Sequence, residues 1–191
     1  MLALALPFQT SAQDQSATSK PDYTCDPTTP VLELSYSGGM IADPDPTPFV
    51  RVFCEGRVVI HFPAYTKRAG EYELILSPTD LERLLATFAA DQLLTIEPDR
   101  IEALATEVQA TGPVEMPSDH GVTANVEVRF ETVTPADPAR AEMVDVERRF
   151  SIPAAAVEAS ARAPVEPLQD FAAGIRQLEA LAERPDLERI P

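Results

Sequence analysis

Alternation of apolar and polar residues marks six stretches of this chain as strands, and a 3.6-residue period marks three as amphipathic helices. Val31 to Tyr36 places Leu32, Leu34 and Tyr36 on one face. Phe49 to Cys54 and Arg57 to Phe62 follow as a pair joined by Glu55-Gly56, where glycine supplies the positive φ of a tight hairpin turn. Glu71 to Leu76 alternates through Tyr72, Leu74 and Leu76, after a loop spanning 64–70. Later in the chain, Val122 to Thr132 turns Val122, Ala124, Val126, Val128 and Phe130 to one side. Met143 to Ile152 does the same with Val144, Val146, Phe150 and Ile152, with a hairpin connection around 134–140. Arg148 falls on that apolar face, so it must reach an edge or meet an acid.

Ser77-Pro78-Thr79-Asp80 has the composition of a helix start: serine as the cap, proline at the first helical position, an acid three residues on. Leu81, Leu84, Leu85 and Phe88 then recur at helical spacing. Leu93, Leu94 and Ile96 carry the chain back to the sheet, and Pro98-Asp99 opens a second helix with Ile101, Leu104, Ala105 and Val108 on its stripe. The stretch 153–167 is Ala-rich and bounded by prolines, a short helix or a linker. A final helix over 168–184 carries Leu168, Phe171, Ala172, Ile175, Leu178 and Ala182. Grouped hairpins followed by helices, without regular strand-helix alternation, predict an α+β fold. The expected form is a largely antiparallel sheet of about five or six strands with amphipathic helices packed on one face. Residues 31–152 form the core domain in this reading, and 153–191 a helical segment packed on it.

Charge and the N-terminus narrow the setting. With 31 acidic and 15 basic residues the formal net charge is −16, which opposes nucleic acids and anionic membranes as partners. Only Lys20 and Lys67 are lysines, the other cations being arginine, a bias to which composition alone gives no functional meaning. The apolar run MLALALPF, with Thr10-Ser11-Ala12 ahead of Gln13, resembles the end of a secretory signal peptide over residues 1–12, without a positive leading region. No segment approaches transmembrane length, and no lipobox precedes Cys25. Residues 13–30, rich in Ser, Thr, Gln, Asp and Pro, read as a flexible tail. The expectation is therefore a periplasmic or secreted protein. In that oxidising setting the even pair Cys25 and Cys54 is expected to form a disulfide tying this tail to the hairpin.

Catalytic signatures are scarce. There is no HExxH, paired CxxC, GxGxxG or GxSxG, so no metal and no cofactor is expected. Asp43, Asp45 and Thr47 alternate like calcium ligands, but Pro48 and Cys54 stand where an EF-hand loop needs glycine and glutamate. His120 sits in a turn composition, Ser118-Asp119-His120-Gly121. The best candidate site is His61, Tyr65, Lys67 and Arg68, a local positive spot in an acidic chain, suited to a carboxylate, a phosphate or an acidic partner loop. The competing reading is a solvated loop whose cations pair with Glu71, Glu73 or another acid.

The order Glu55-Gly56-Arg57-Val58, His61-Phe62-Pro63, Tyr65, Lys67-Arg68-Ala69-Gly70, Tyr72-Glu73-Leu74 and a Ser-capped leucine helix resembles a family of uncharacterised exported bacterial proteins. The likeness covers roughly residues 49–97 and implies export and this fold; it brings no activity with it. The leading expectation is a non-enzymatic interaction or ligand-binding protein of the periplasm, with an envelope protein or a small anionic ligand as partner. One alternative is an enzyme acting on an anionic substrate at His61, Tyr65 and Arg68. Another is an envelope assembly factor that uses a sheet edge or the C-terminal helix.

Overall fold

The computed structural model describes residues 18–39, 45–111, 121–160 and 168–191. The supposed signal segment 1–12, the start of the tail and His120 lie outside them. In chain order the elements are β1 (Lys20–Asp22), β2 (Leu32–Ser37), β3 (Val50–Val52), β4 (Arg57–Phe62), β5 (Gly70–Ile75), α1 (Pro78–Phe88), α2 (Asp91–Thr95) and α3 (Pro98–Thr111). Then come β6 (Thr123–Thr134), β7 (Met143–Pro153), α4 (Ala154–Ser160), α5 (Leu168–Leu181) and β8 (Glu188–Arg189). The fold is α+β, built on one antiparallel sheet.

That sheet has eight strands among the described residues, more than the five or six that periodicity predicts. The extra two are too short to alternate visibly. β1 pairs with the far end of β6, Lys20 opposite Thr134, so part of the stretch read as a flexible tail is a sheet strand. β8 pairs with β5 through Tyr72 opposite Arg189. Both are recruited by a neighbour's unpaired backbone groups rather than by any pattern of their own. Across the sheet the strands run β7, β6, then β2 and β1 side by side along β6, then β3, β4, β5 and β8.

One face of the sheet is apolar and helix-covered. Leu32, Leu34, Val50, Val52, Val58, Ile60, Leu74, Val126, Val128, Phe150 and Ile152 share a single core with Leu85, Phe88, Ile101, Leu104, Phe171, Ile175 and Leu178 of the helices. α5 lies deepest: seven of its residues, from Leu168 to Leu181, are buried. Phe171 stands edge-on to Phe150 of the sheet at 5.1 Å and to Phe88 of α1 at 6.5 Å. α1 begins as its residues dictate, with the Ser77 hydroxyl accepting from the Asp80 amide at 3.2 Å and Pro78 in the first turn.

Two local readings change. Val144, expected in the core, is 64% exposed. Its neighbour Asp145 adopts φ 50°, a left-handed conformation that turns the start of β7 off the regular pleat. Arg148 meets no acid among the described residues; its Nε donates to Leu94 O at 3.2 Å, at the end of α2, where helix carbonyls lack partners.

The disulfide Cys25–Cys54 closes a loop with a sequence separation of 29 and fastens the segment between β1 and β2 to the β3–β4 turn. Cross-linking a loop of this size removes unfolded-state entropy worth about 3–4 kcal/mol. Replacing both cysteines by serine is expected to lower the unfolding free energy by up to that amount, read from urea denaturation. A second stability test concerns Gly174, where an added Cβ would lie 2.7 Å from the Phe88 ring. Gly174→Ala, favourable by helix propensity, is expected to destabilise by about 1–2 kcal/mol because the buried ring has nowhere to move. Thermal denaturation decides the sign.

Candidate functional site

The loop joining β4 to β5 carries three of the four candidate residues, and β4 carries the fourth. Its first turn is tight: the Thr66 amide and hydroxyl both donate to Pro63 O, at 2.9 and 2.8 Å. Its far end is held by Arg68. The guanidinium donates through Nη1 to Ala182 O at 3.0 Å, beyond the last turn of α5, where a cation complements the helix's negative end. It also lies over the rings of Phe62 and Tyr72, 4.7 and 5.3 Å from their centroids. Arg189 of β8 adds a contact from its Nη2 to Ala69 O at 3.5 Å.

Arg68, placed in the candidate site for its charge, also anchors the loop. Neither Lys67 nor Arg68 makes an ion pair among the described residues, and Glu71 is taken by Arg51. Between the anchors, Tyr65 and Lys67 project outward. Tyr65 is 63% exposed, one of the large apolar side chains left at the surface. Lys67 is exposed and makes no ion pair among the described residues.

His61 lies apart from them, on the opposite face of the sheet from the core. The side chains of Arg51, His61 and Glu71 share this polar face, with His61 opposite Glu71 in the β4–β5 ladder. Its Nε2 donates to Asp45 Oδ2 at 2.7 Å, the carboxylate being able only to accept. The other ring nitrogen, Nδ1, is buried and has no hydrogen-bond partner in the described structure. Asp45 is well prepared for this bond. The Thr47 amide donates to its Oδ1 at 3.0 Å, and this bond, followed by the one from His61, holds the carboxyl down at about 2. Of the stretch read for calcium-like spacing, Asp43 lies outside the described residues, while Asp45 closes a turn on Thr47 and orients a histidine.

The rest of the polar face is a connected charge network. Arg129 bridges Glu33 (2.6 Å) and Glu127, and Arg149 closes on Glu127 from β7. Burial pushes the Glu127 carboxyl up, yet the Arg149 hydrogen bond and the charges of Arg129 and Arg149 outweigh it and hold it below its usual range. A cleft of about 290 Å³ opens beside this network, bounded by Pro46 and Pro48 and floored by Glu33, Ser35, Asn125, Glu127 and Arg149. Nothing in the pattern of β2 and β6 alone pointed to it, because its roof is a proline-bearing connection and its floor comes from three strands. Cys25, Cys54 and Glu55 bring two sulfurs and a carboxylate together, but both sulfurs are spent in the disulfide. No helix among the described residues is long and apolar enough to cross a membrane.

The Asp45–His61 pair sets a pH dependence. A carboxyl whose folded-state value lies below its unfolded value contributes stability that is present above about pH 4 and lost as pH falls through the folded value. Asp45→Asn is therefore expected to be less stable than the parent at pH 6, with the difference shrinking as pH approaches 2. Paired denaturation curves across that range check it; a difference independent of pH would show that the charge on Asp45 does not carry the effect. No protein-family model, curated protein or solved structure matches this chain.

Proposed function

We propose that this protein is a non-enzymatic interaction module of the periplasm or extracellular space, which docks an acidic partner protein on the β4–β5 loop. The observation that carries the reading is the display of Tyr65 and Lys67 on a loop tied down at both ends. A loop already held in one conformation loses little further entropy on binding, which is where much of the cost of association lies. An exposed tyrosine beside a cation matches the composition of protein interfaces, whereas small ligands favour concave sites. Partner proteins are thus preferred to small anions. The chain's own charge of −16 leaves Lys67 as a local exception that an acidic segment would find by electrostatic attraction.

The enzyme alternative is weakened by the same geometry. A general base needs a ring nitrogen that reaches substrate, and His61 has one nitrogen bonded to Asp45 and the other buried. Arg68 is engaged with Ala182 and two rings. The C-terminal helix buries its apolar face as α5, and only its polar face, with Gln169, Arg176 and Gln177, reaches the surface. The disulfide fits an oxidising compartment.

Retention of a partner from envelope extract tests this. Tyr65→Ala is expected to weaken binding by about 30-fold, the scale of an interfacial hot spot. Lys67→Ala should weaken it less and flatten its dependence on salt, while His61→Ala leaves it unchanged. Partners retained equally by the Tyr65 and Lys67 variants would refute the assignment.

A further inference from the structure

β7 is an edge strand, and the direction of its unpaired backbone groups can be read from two hydrogen bonds. It pairs with β6 over its length and with no other strand among the described residues. The Ala154 amide donates to Val122 O at 2.9 Å, in register with the ladder that sets Thr123 opposite Pro153. Bonded pairs alternate along an antiparallel ladder. Val146, Arg148, Phe150 and Ile152 therefore bond to β6, while the amides and carbonyls of Glu147, Arg149 and Ser151 point outward. The other side of β6 agrees, because the Arg129 amide donates to Val31 O at 2.9 Å and so turns the odd-numbered residues of β6 toward β2. Pro153, which has no N–H, belongs to the outward set, where its missing donor interrupts no ladder bond.

We propose that β7 pairs with β7 of a second copy of this chain, antiparallel about a two-fold axis at Arg148, so that two sheets join edge to edge. This register sets Glu147 opposite the partner's Arg149, and by symmetry Arg149 opposite the partner's Glu147. Both pairs join outward-pointing residues, which therefore exchange backbone bonds across the axis. Other centres lose this match: an axis at Val146 sets Asp145 against the partner's Glu147, and an axis at Glu147 sets that acid against itself. Arg149 holds Glu127 through Nε and Nη2, so Nη1 remains for the partner's carboxylate. Arg148 would meet its own copy at the axis, but its Nε is already bonded to Leu94 O, which draws its charge toward α2. Asp145, at φ 50°, ends the regular edge and, applied twice by the symmetry, confines the shared ladder to residues 146–150. A ladder this short makes a weak, concentration-dependent dimer. The same turn leaves Val144 exposed beside it as an apolar flank.

Sedimentation equilibrium of the full chain, up to about 200 µM, reads the association directly. The parent is expected to dimerise. Glu147→Arg, which sets like charges opposite each other twice, should weaken the dimer at least about tenfold. Glu147→Pro removes an outward N–H without touching the β6 ladder and should also abolish pairing, with far-UV circular dichroism and melting confirming an intact fold. A parent that stays monomeric throughout overturns the proposal, and so does a dimer that tolerates both substitutions of Glu147. An edge that instead accepted a foreign peptide strand would give the monomeric result. The loop variants Tyr65→Ala and Lys67→Ala should dimerise like the parent, which separates this surface from the docking loop.

Discussion

The close approach of α5 to its neighbours is the contact on which the rest depends. Phe171 fills the space between Phe150 of the sheet and Phe88 of α1, and Gly174, one turn later, lets the Phe88 ring lie against the helix backbone. A side chain at 174 would push α1 away and open a gap that the chain has few large side chains to fill, having no tryptophan. Depth has consequences at the helix's far end. Ala182 O, just past α5, receives Arg68, and Glu179 accepts the Tyr36 hydroxyl from β2. The position of a buried helix thus fixes the conformation of a surface loop at its far end. Core packing and site geometry are one problem in this molecule.

The sheet's other face poses the opposite problem. A chain with twice as many acids as bases cannot pair them all, so its arginines go where carboxylates are forced together by strand register. Glu33 and Glu127 are direct cross-strand partners, a repulsive pairing, and Arg129 bridges both. Arg149 adds a second cation to Glu127 from the edge strand. The network is a consequence of placing like charges side by side on adjacent strands.

Much of the architecture was legible from side-chain period. β2, β4, β5, β6, α1, α3 and α5 each repeat apolar residues often enough to declare themselves, and the Ser77-Pro78 cap located α1 by its chemistry. The cysteine pair followed from an even count in an expected oxidising setting. What periodicity missed has physical reasons. β1 and β8 are three and two residues long, so each exists only through its neighbour's hydrogen bonds. Val144 fails because a single left-handed residue, Asp145, breaks the alternation in the backbone while the sequence keeps it. The site was half legible. Composition brought His61, Tyr65, Lys67 and Arg68 together, but proximity along the chain says nothing of direction. His61 turns to the polar face, as its alternation with Ile60 and Phe62 along the strand requires, but a carbonyl that lies 114 residues away in sequence claimed Arg68.

The preference for arginine over lysine acquires a meaning once these directions are known. Arg57 lies over the Phe53 ring at 3.8 Å, Arg68 over Phe62 and Tyr72, and Arg184 grips Asp186 with two nitrogens. Arg148, Arg129 and Arg176 donate to backbone carbonyls at Leu94, Pro30 and Val157. Each task uses the planar fork: stacking on a ring, meeting two oxygens, or reaching a carbonyl with one nitrogen while another stays solvated. Lysine, a mobile and strongly hydrated point charge, performs them poorly. The two lysines are exposed and make no ion pair among the described residues, so neither performs such a task. Lys20 is spent on an edge of the sheet beside β6, where a charge discourages stray pairing. Lys67 has no such duty to discharge, and it sits next to an exposed tyrosine on a loop that arginine and a tight turn hold still. A cation freed from structure, on a rigid support, in an acidic molecule, is a feature whose consequence lies outside the chain that carries it.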